Sequence, residues 1–315
     1  MQVKNIIITG ASGFVATQLT LDLLNNTHHY LYLVSTNPTA IKDRYAGFAE
    51  RVKCCTLDSF SDYAKASGER FDACVNAGFA RSSLGRPLVD SLEFTFKLVT
   101  LIKELGVDKF INISSQSVYG KETEPLWTEQ TPLDPDYMYA LGKYSTELIT
   151  RIVLSNSNVK WTNIRLSSVC ENARLMSVFV KNALSGSPIH LTAGNQICSF
   201  IDVRDVSTAL IKVIESDSIH FAEAYNLGTA EMFSIREIAE KVKQIGDTMY
   251  GTSVVITEEA NDNHIKIGMD NSLFKKTFNW EPSYSMDDMI ISLFEMETNV
   301  NGGDCLKTHS SQNVS

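Results

Sequence analysis

The chain has 315 residues, 43% of them hydrophobic, and a formal net charge of −9, enough apolar material for one large domain or two coupled ones. It contains no Lys/Arg run and no basic stripe interleaved with aromatics, which sets aside nucleic acid as the main partner, and no apolar run long enough to span a bilayer. Six scattered cysteines (Cys54, Cys55, Cys74, Cys170, Cys198, Cys305), with no CxxC pair and no His cluster at ligand spacing, read as reduced thiols of a cytosolic protein with no structural metal.

The opening "MQVKNIIITG" is expected to enter a buried strand at once, leaving no room for a signal peptide. Short β-branched runs follow one another: "VKNIIIT", "YLYLVS", "RVKCCTL", "FDACVNA", "KFINISS" and "VKWTNIRL". Their near-continuous apolar character suits strands covered on both faces. Between them lie the helix candidates "GFVATQLTLDLLNN", "PLVDSLEFTFKLVTLIKELG" and "DYMYALGKYSTELITRIVLSNS". This alternation predicts an α/β fold built on a doubly wound parallel sheet. After about Arg165 the rhythm changes to shorter elements: a helix near "MSVFVKNALSG", a strand near "ICSFIDV", then helices at "RDVSTALIKVIES", "SIREIAEKVKQIG" and "MDDMIISLFEME". The expected organisation is a nucleotide-binding domain over 1–165 and a smaller C-terminal substrate-binding lobe over 166–298, some of whose elements can return to the main sheet. A polar tail, 299–315, is expected to be disordered.

In "IIITGASGFVATQL", Gly10 and Gly13 stand between the first strand and the first helix. Gly10 permits the tight turn, and Gly13 lets the backbone approach a pyrophosphate lying on the helix N-terminus. A ribose-binding acidic residue about 20 positions further on would select NAD. The end of the second strand offers Val34, Ser35 and Thr36 instead, with Lys42 and Arg44 nearby. That absence favours NADP, with NAD still open. Asp58 could meet the adenine amino group, or serve as an ordinary helix N-cap.

"DYMYALGKYSTE" places Tyr139 and Lys143 four residues apart on one helical face. With 11 tyrosines in the chain this spacing alone decides little. The strand "KFINISSQSVYGKE" ends in Ser114, Ser115 and Ser117, at the strand terminus where an open parallel sheet places its ligands.

Gly10-x-x-Gly13, "ISSQSVYG", "YALGK" and the later "SFIDVRDVSTAL", "AYNLGTAEMFSIREIA" and "NWEPSYSMDDMI" together resemble the extended short-chain dehydrogenase/reductase superfamily, with its nucleotide-sugar epimerases, dehydratases and reductases. The resemblance runs through nearly the whole chain and implies a Rossmann-type sheet. It implies that Ser115 orients the substrate oxygen and that Tyr139 is the acid/base. Lys143 would hold the nicotinamide ribose and draw the phenol's pKa toward neutrality. It places the cofactor against Gly10, Ser12, Gly13, Phe14, Val15, Ser35, Thr36, Asp58, Ala77, Gly78, Tyr139 and Lys143. Substrate contacts are expected at Arg81, Ser115, Ser117, Arg174, Cys198 and Arg204. The family pairs the corresponding helices across a two-fold axis, which leaves two readings open: a homodimer, or helices that only cover their own sheet.

Dehydratases of this group resemble one another in an Asp-Glu pair after the strand-end Ser/Thr; here Gln116 and Ser117 stand there, which disfavours water elimination. Ketoreductase and 4-epimerase chemistry both remain open, and the expectation of NADP tips the reading toward a nucleotide-sugar ketoreductase of polysaccharide synthesis. The Arg that the family uses to clamp a diphosphate is replaced by Cys198, with Arg174, Arg204, Lys266 and His264 as candidate substitutes. The loss keeps a smaller carbonyl substrate open. A non-catalytic cofactor-binding role fits poorly with a complete Ser115–Tyr139–Lys143 set.

Overall fold

A computed structural model describes residues 2–80, 84–120, 126–172, 174–192, 194–218, 220–259 and 265–301. In chain order the first part runs β1 (Asn5–Thr9), α1 (Phe14–Asn26), β2 (Tyr30–Val34), α2 (Thr39–Lys42), β3 (Val52–Cys55), α3 (Leu57–Ser67) and β4 (Ala73–Asn76). Next come α4 (Arg86–Leu105), β5 (Lys109–Ser115), α5 (Met138–Leu154), β6 (Lys160–Leu166) and β7 (Ser168–Val169). They are followed by α6 (Arg174–Ser185), β8 (Ile189–Leu191), β9 (Ile197–Cys198), β10 (Phe200–Ile201), α7 (Val203–Glu215) and β11 (Ala224–Leu227). The last elements are β12 (Phe233–Ser234), α8 (Ile235–Met249), β13 (Ile256–Glu258), β14 (Lys266–Ile267), α9 (Ser272–Phe278) and α10 (Met286–Asn301).

Two compact units are interleaved along the chain. The first comprises 1–169, 199–232 and 265–283; the second comprises 170–198, 233–264 and 284–315. Elements after residue 166 do rejoin the main sheet, because β11 pairs in parallel with β6. The tail expected from 299 overlaps the end of α10, and its remaining residues lie outside the described ones.

The first unit holds a seven-stranded parallel sheet in the order β11-β6-β5-β4-β1-β2-β3. Chain order reverses direction between β1 and β4, the place where such sheets open a crevice at their carboxyl ends. Strand periodicity sorts the core. Ile6 and Ile8 of β1 pack among residues of α1 and α7, whereas Ile7 packs with residues of α3 and α4 on the other face. All three are fully buried, each contributing about 1.5–3 kcal/mol of hydrophobic stabilisation. This two-sided burial is why the strands read as unbroken apolar runs rather than alternating ones.

One rung of that sheet is polar. Thr9, Asn76, Asn112 and Asn163 sit in register on β1, β4, β5 and β6. Thr9 Oγ1 donates to Asn76 Oδ1 at 2.7 Å, Asn76 Nδ2 to Asn112 Oδ1 at 3.0 Å, and Asn112 Nδ2 to Asn163 Oδ1 at 2.9 Å. Asn112 Nδ2 also reaches Thr146 Oγ1 on α5, which itself donates to the Lys143 carbonyl. Buried amides are costly unless paired; paired in this way they tie the strand carrying the glycine turn to the helix carrying Tyr139 and Lys143.

The second unit packs α6, α8 and α10 together, with a parallel β8–β13 pair and an antiparallel β9–β12 pair. A capping box starts α8: Ser234 Oγ accepts from the Glu237 amide, and the Glu237 carboxylate accepts from the Ser234 amide. Among the described residues no helix is long and apolar enough to cross a membrane.

Candidate active site

The turn after β1 is a cradle that a side chain would fill. Gly10 has φ +64°, and a Cβ there would stand 2.7 Å from the backbone of Ala77 and Gly78 at the end of β4. Gly13 donates its amide to the Gly10 carbonyl at 2.7 Å and forms the N-cap of α1. That cap has no side-chain hydrogen bond, and the first turn carries no acidic residue. The positive end of α1, approached through glycines, therefore suits a diphosphate. Ser12 and Gly13 are exposed there, while Phe14 and Val15 are partly buried.

Tyr139 and Lys143 share one face of α5, with the Lys143 ammonium 6.0 Å from the centre of the Tyr139 ring. Lys143 is buried, and its Nζ donates to the Ile113 carbonyl on β5 at 2.9 Å. Burial pulls its pKa down to about 8, opposed by the Glu147 carboxylate one turn further along α5. β5 ends at Ser115, whose hydroxyl accepts from the Ser117 amide at 3.2 Å and opens a short 3-10 turn over Gln116–Tyr119. The Ser117 hydroxyl and the Gln116 side-chain oxygen are buried with no protein partner. Unpaired buried polar atoms at a strand's carboxyl end are what a polar substrate would satisfy.

Ser114 has a different task from its neighbour, because successive strand residues face opposite ways. Its hydroxyl donates to Glu147, which also receives both arms of the Arg165 guanidinium. Neither Glu147 nor the asparagine rung was anticipated from the sequence. The signals were there: Glu147 continues the 139/143 spacing, and "FDACVNA", "KFINISS" and "VKWTNIRL" each carry an Asn in an otherwise apolar strand.

The other expected residues are dispersed. Ser35 is buried, its hydroxyl accepting from the Asn37 amide, and Thr36 is exposed. The cap of α3 is Thr56, in a reciprocal box with Ser59, so the alternative of Asp58 as N-cap does not hold. Asp58 is exposed in the first turn and lines a shallow surface depression with Ser61, Lys65 and Lys97. Arg204, in the first turn of α7, forks onto the Asp202 carboxylate at 2.8 and 2.6 Å. Cys198 lies on β9 in the second unit, its thiol pushed up to about 11 by burial and hence neutral. Arg174 is the first residue of α6 and Lys266 the first of β14. Arg81 and His264 lie outside the described residues.

Three known proteins frame this geometry. A dTDP-glucose 4,6-dehydratase of Neisseria gonorrhoeae is 24% identical, covering 89% of this chain and 91% of its own. The solved UDP-glucuronic acid 4-epimerase of Bacillus cereus, in complex with NAD, superimposes with a TM-score of 0.81 at 20% identity, covering 96% of this chain and 98% of that one. The UDP-glucose 4-epimerase of Bifidobacterium longum, in complex with NAD+ and UDP, gives 0.76 at 20% identity, covering 95% and 100%.

These complexes overturn the expectation of NADP: the solved relatives hold NAD. The physical reason is visible at the end of β2. A missing carboxylate does not make a phosphate site, and the Arg44 guanidinium donates to Thr17 Oγ1 on α1 at 2.8 Å. The model of the NAD dependent epimerase/dehydratase family matches residues 6–228, the stretch that holds the glycine turn, Ser115, Tyr139 and Lys143, and the chain belongs to that family.

Proposed function

We propose that the protein is an NAD-dependent epimerase of a nucleotide sugar, serving the synthesis of a surface polysaccharide, with Ser115, Tyr139 and Lys143 as its working set. The observation that carries this reading is the pairing of Tyr139 with a buried Lys143 on α5, beside the Ser115 end of β5. Bound NAD supplies a two-electron acceptor that takes a hydride from an alcohol carbon and can return it. The Tyr139 phenolate, favoured by the Lys143 cation, would take the hydroxyl proton when the alcohol carbon is oxidised, and the resulting phenol would give it back when the carbonyl is reduced. Ser115 holds the same substrate oxygen by its hydroxyl. Elimination of water has no support at the strand end, since Gln116 carries no carboxylate and its Nε2 donates to Ser168 at 3.1 Å.

The ketoreductase reading depended on NADP and gives way with it. An epimerase returns the hydride to the opposite face of the carbon it came from, which inverts that centre, so NAD need never be exchanged. A second reading, a smaller carbonyl substrate, is favoured by one observation: Cys198 is neutral where the resembled family has an arginine on the diphosphate. The exposed apolar residues Val89 and Phe96 on α4, and Leu141, Leu148 and Ile152 on α5, support a homodimer formed through those helices.

The test is incubation of the purified protein with UDP-, dTDP-, GDP- and CDP-hexoses, read by NMR for inversion at one ring carbon and by thermal shift. Epimerisation of one class, lost in Tyr139→Phe with NAD affinity kept within about twofold, is the expected result. Inversion of none, together with stabilisation by none, removes the nucleotide-sugar assignment.

A further inference from the structure

Phe79, two residues beyond Ala77 in "NAGFA", was not among the residues that the sequence marked. Its backbone continues the segment pressed against Gly10, so it leads from the diphosphate cradle toward α5. Its ring meets Tyr139 edge to face, with centroids 5.7 Å apart and planes at 83°. The Lys143 ammonium lies 4.5 Å from the centre of the same ring. The ring fits a slot that Gly142 leaves open: a Cβ at Gly142 would stand 2.8 Å from Phe79 Cζ and 2.6 Å from Leu88 Cδ1.

An ammonium this buried needs compensation. A carboxylate in contact would supply it, but would also compete with any ribose hydroxyl for the ammonium's protons. An aromatic face attracts the ammonium through its quadrupole without being a strong acceptor. Phe79 therefore keeps Lys143 charged and dry without drawing it away from a ligand. The edge contact, in turn, holds the Tyr139 ring at a set angle.

We propose that Phe79 is a positioning residue for the dinucleotide, its ring forming the wall of the nicotinamide-ribose subsite against which Lys143 and Tyr139 are held. This rests on the reading of Tyr139 and Lys143 as the cofactor-facing pair. The adenine and diphosphate end is held by the α1 turn and does not involve the ring, so the two ends of NAD separate experimentally.

Calorimetric titration of NAD and of ADP into the wild type, Phe79→Ala, Phe79→Leu and Gly142→Ala tests the proposal. The expected result is NAD bound about tenfold more weakly by Phe79→Ala, with ADP unchanged within about twofold and Phe79→Leu intermediate. Gly142→Ala, whose methyl group displaces the ring, weakens NAD in the same sense. Amine-modification rates at Lys143, followed by mass spectrometry, should show a more accessible lysine in Phe79→Ala. Unchanged NAD affinity overturns the proposal, as does a parallel loss of NAD and ADP, which would mark a folding role. If Phe79→Ala does not fold, the same ratio in Phe79→Leu decides. A wild type that binds ADP but not NAD overturns the underlying cofactor reading and this one with it, and is told apart by needing no variant.

Discussion

Glu147 on α5 and Arg165 on β6 form a two-pronged buried ion pair, Nε to Oε1 at 3.0 Å and Nη2 to Oε2 at 2.8 Å. The pair is extended on both sides, by Ser114 donating to the carboxylate and by Arg165 Nη1 donating to the Tyr119 hydroxyl at 2.9 Å. The Tyr119 hydroxyl in turn donates to Asn226 Oδ1 on β11 at 2.6 Å. The strand that ends in Ser115, the helix that carries Lys143 and the edge of the sheet are thus joined by one polar chain.

Removing one partner leaves a buried charge without its counterpart. Glu147→Gln is expected to lower unfolding stability by about 3–5 kcal/mol, and Glu147→Met with Arg165→Met to recover most of that loss. Urea unfolding of the three proteins checks it; a single variant no less stable than the double one would contradict the account.

Lys143 sets opposite trends for stability and binding. Its folded pKa of about 8 lies below the ordinary 10.5. Between those values the unfolded chain holds a proton that the folded chain lacks, so stability rises with pH across about 8 to 10.5 and is lowest below 8. The ammonium proposed to hold the ribose is present below about 8 and lost above it, so NAD affinity is expected to fall as pH rises. Lys143→Met should flatten both curves, binding NAD poorly while gaining on the order of 1–3 kcal/mol at pH 7. Urea midpoints and NAD titrations at pH 7, 9 and 10 read both trends; wild-type curves flat in both would refute the assignment.

Phe96 on α4 and Ile152 on α5 are 55% and 75% exposed. Exposed apolar side chains gathered into a contiguous patch mark an interaction surface. The wild type should scatter light at twice the chain mass, and Phe96→Glu with Ile152→Glu should reduce it to a monomer with its thermal midpoint lowered. A wild-type monomer at micromolar concentration would exclude the dimer.

The first half of the fold was legible because its signals are local. A glycine turn, an apolar run and a four-residue spacing each act through neighbours along the chain, so β1 to β6 with α1, α4 and α5 lie close to where the sequence placed them. The short strands β7 to β14 were mostly illegible: apart from the four-residue β11 they have two or three residues, which carry no periodicity, and their pairing partners are mostly distant in sequence. The α3 helix, "LDSFSDYAKAS", is too polar to announce itself, and its start depends on a Thr56–Ser59 box that single-residue reading assigned to Asp58.

By itself the sequence determined the glycine turn and the helical face that Tyr139 and Lys143 share. Only glycine reaches φ +64° beside Ala77 without a clash, and residues 139 and 143 can only share a side of a helix. Tertiary structure decided everything that depends on residues brought together from afar: Phe79 over Lys143, Glu147 between Ser114 and Arg165, and Arg44 turned onto Thr17 rather than toward a phosphate. A missing residue type shows what one contact cannot be; the direction in which the remaining charges point is a property of the packed chain.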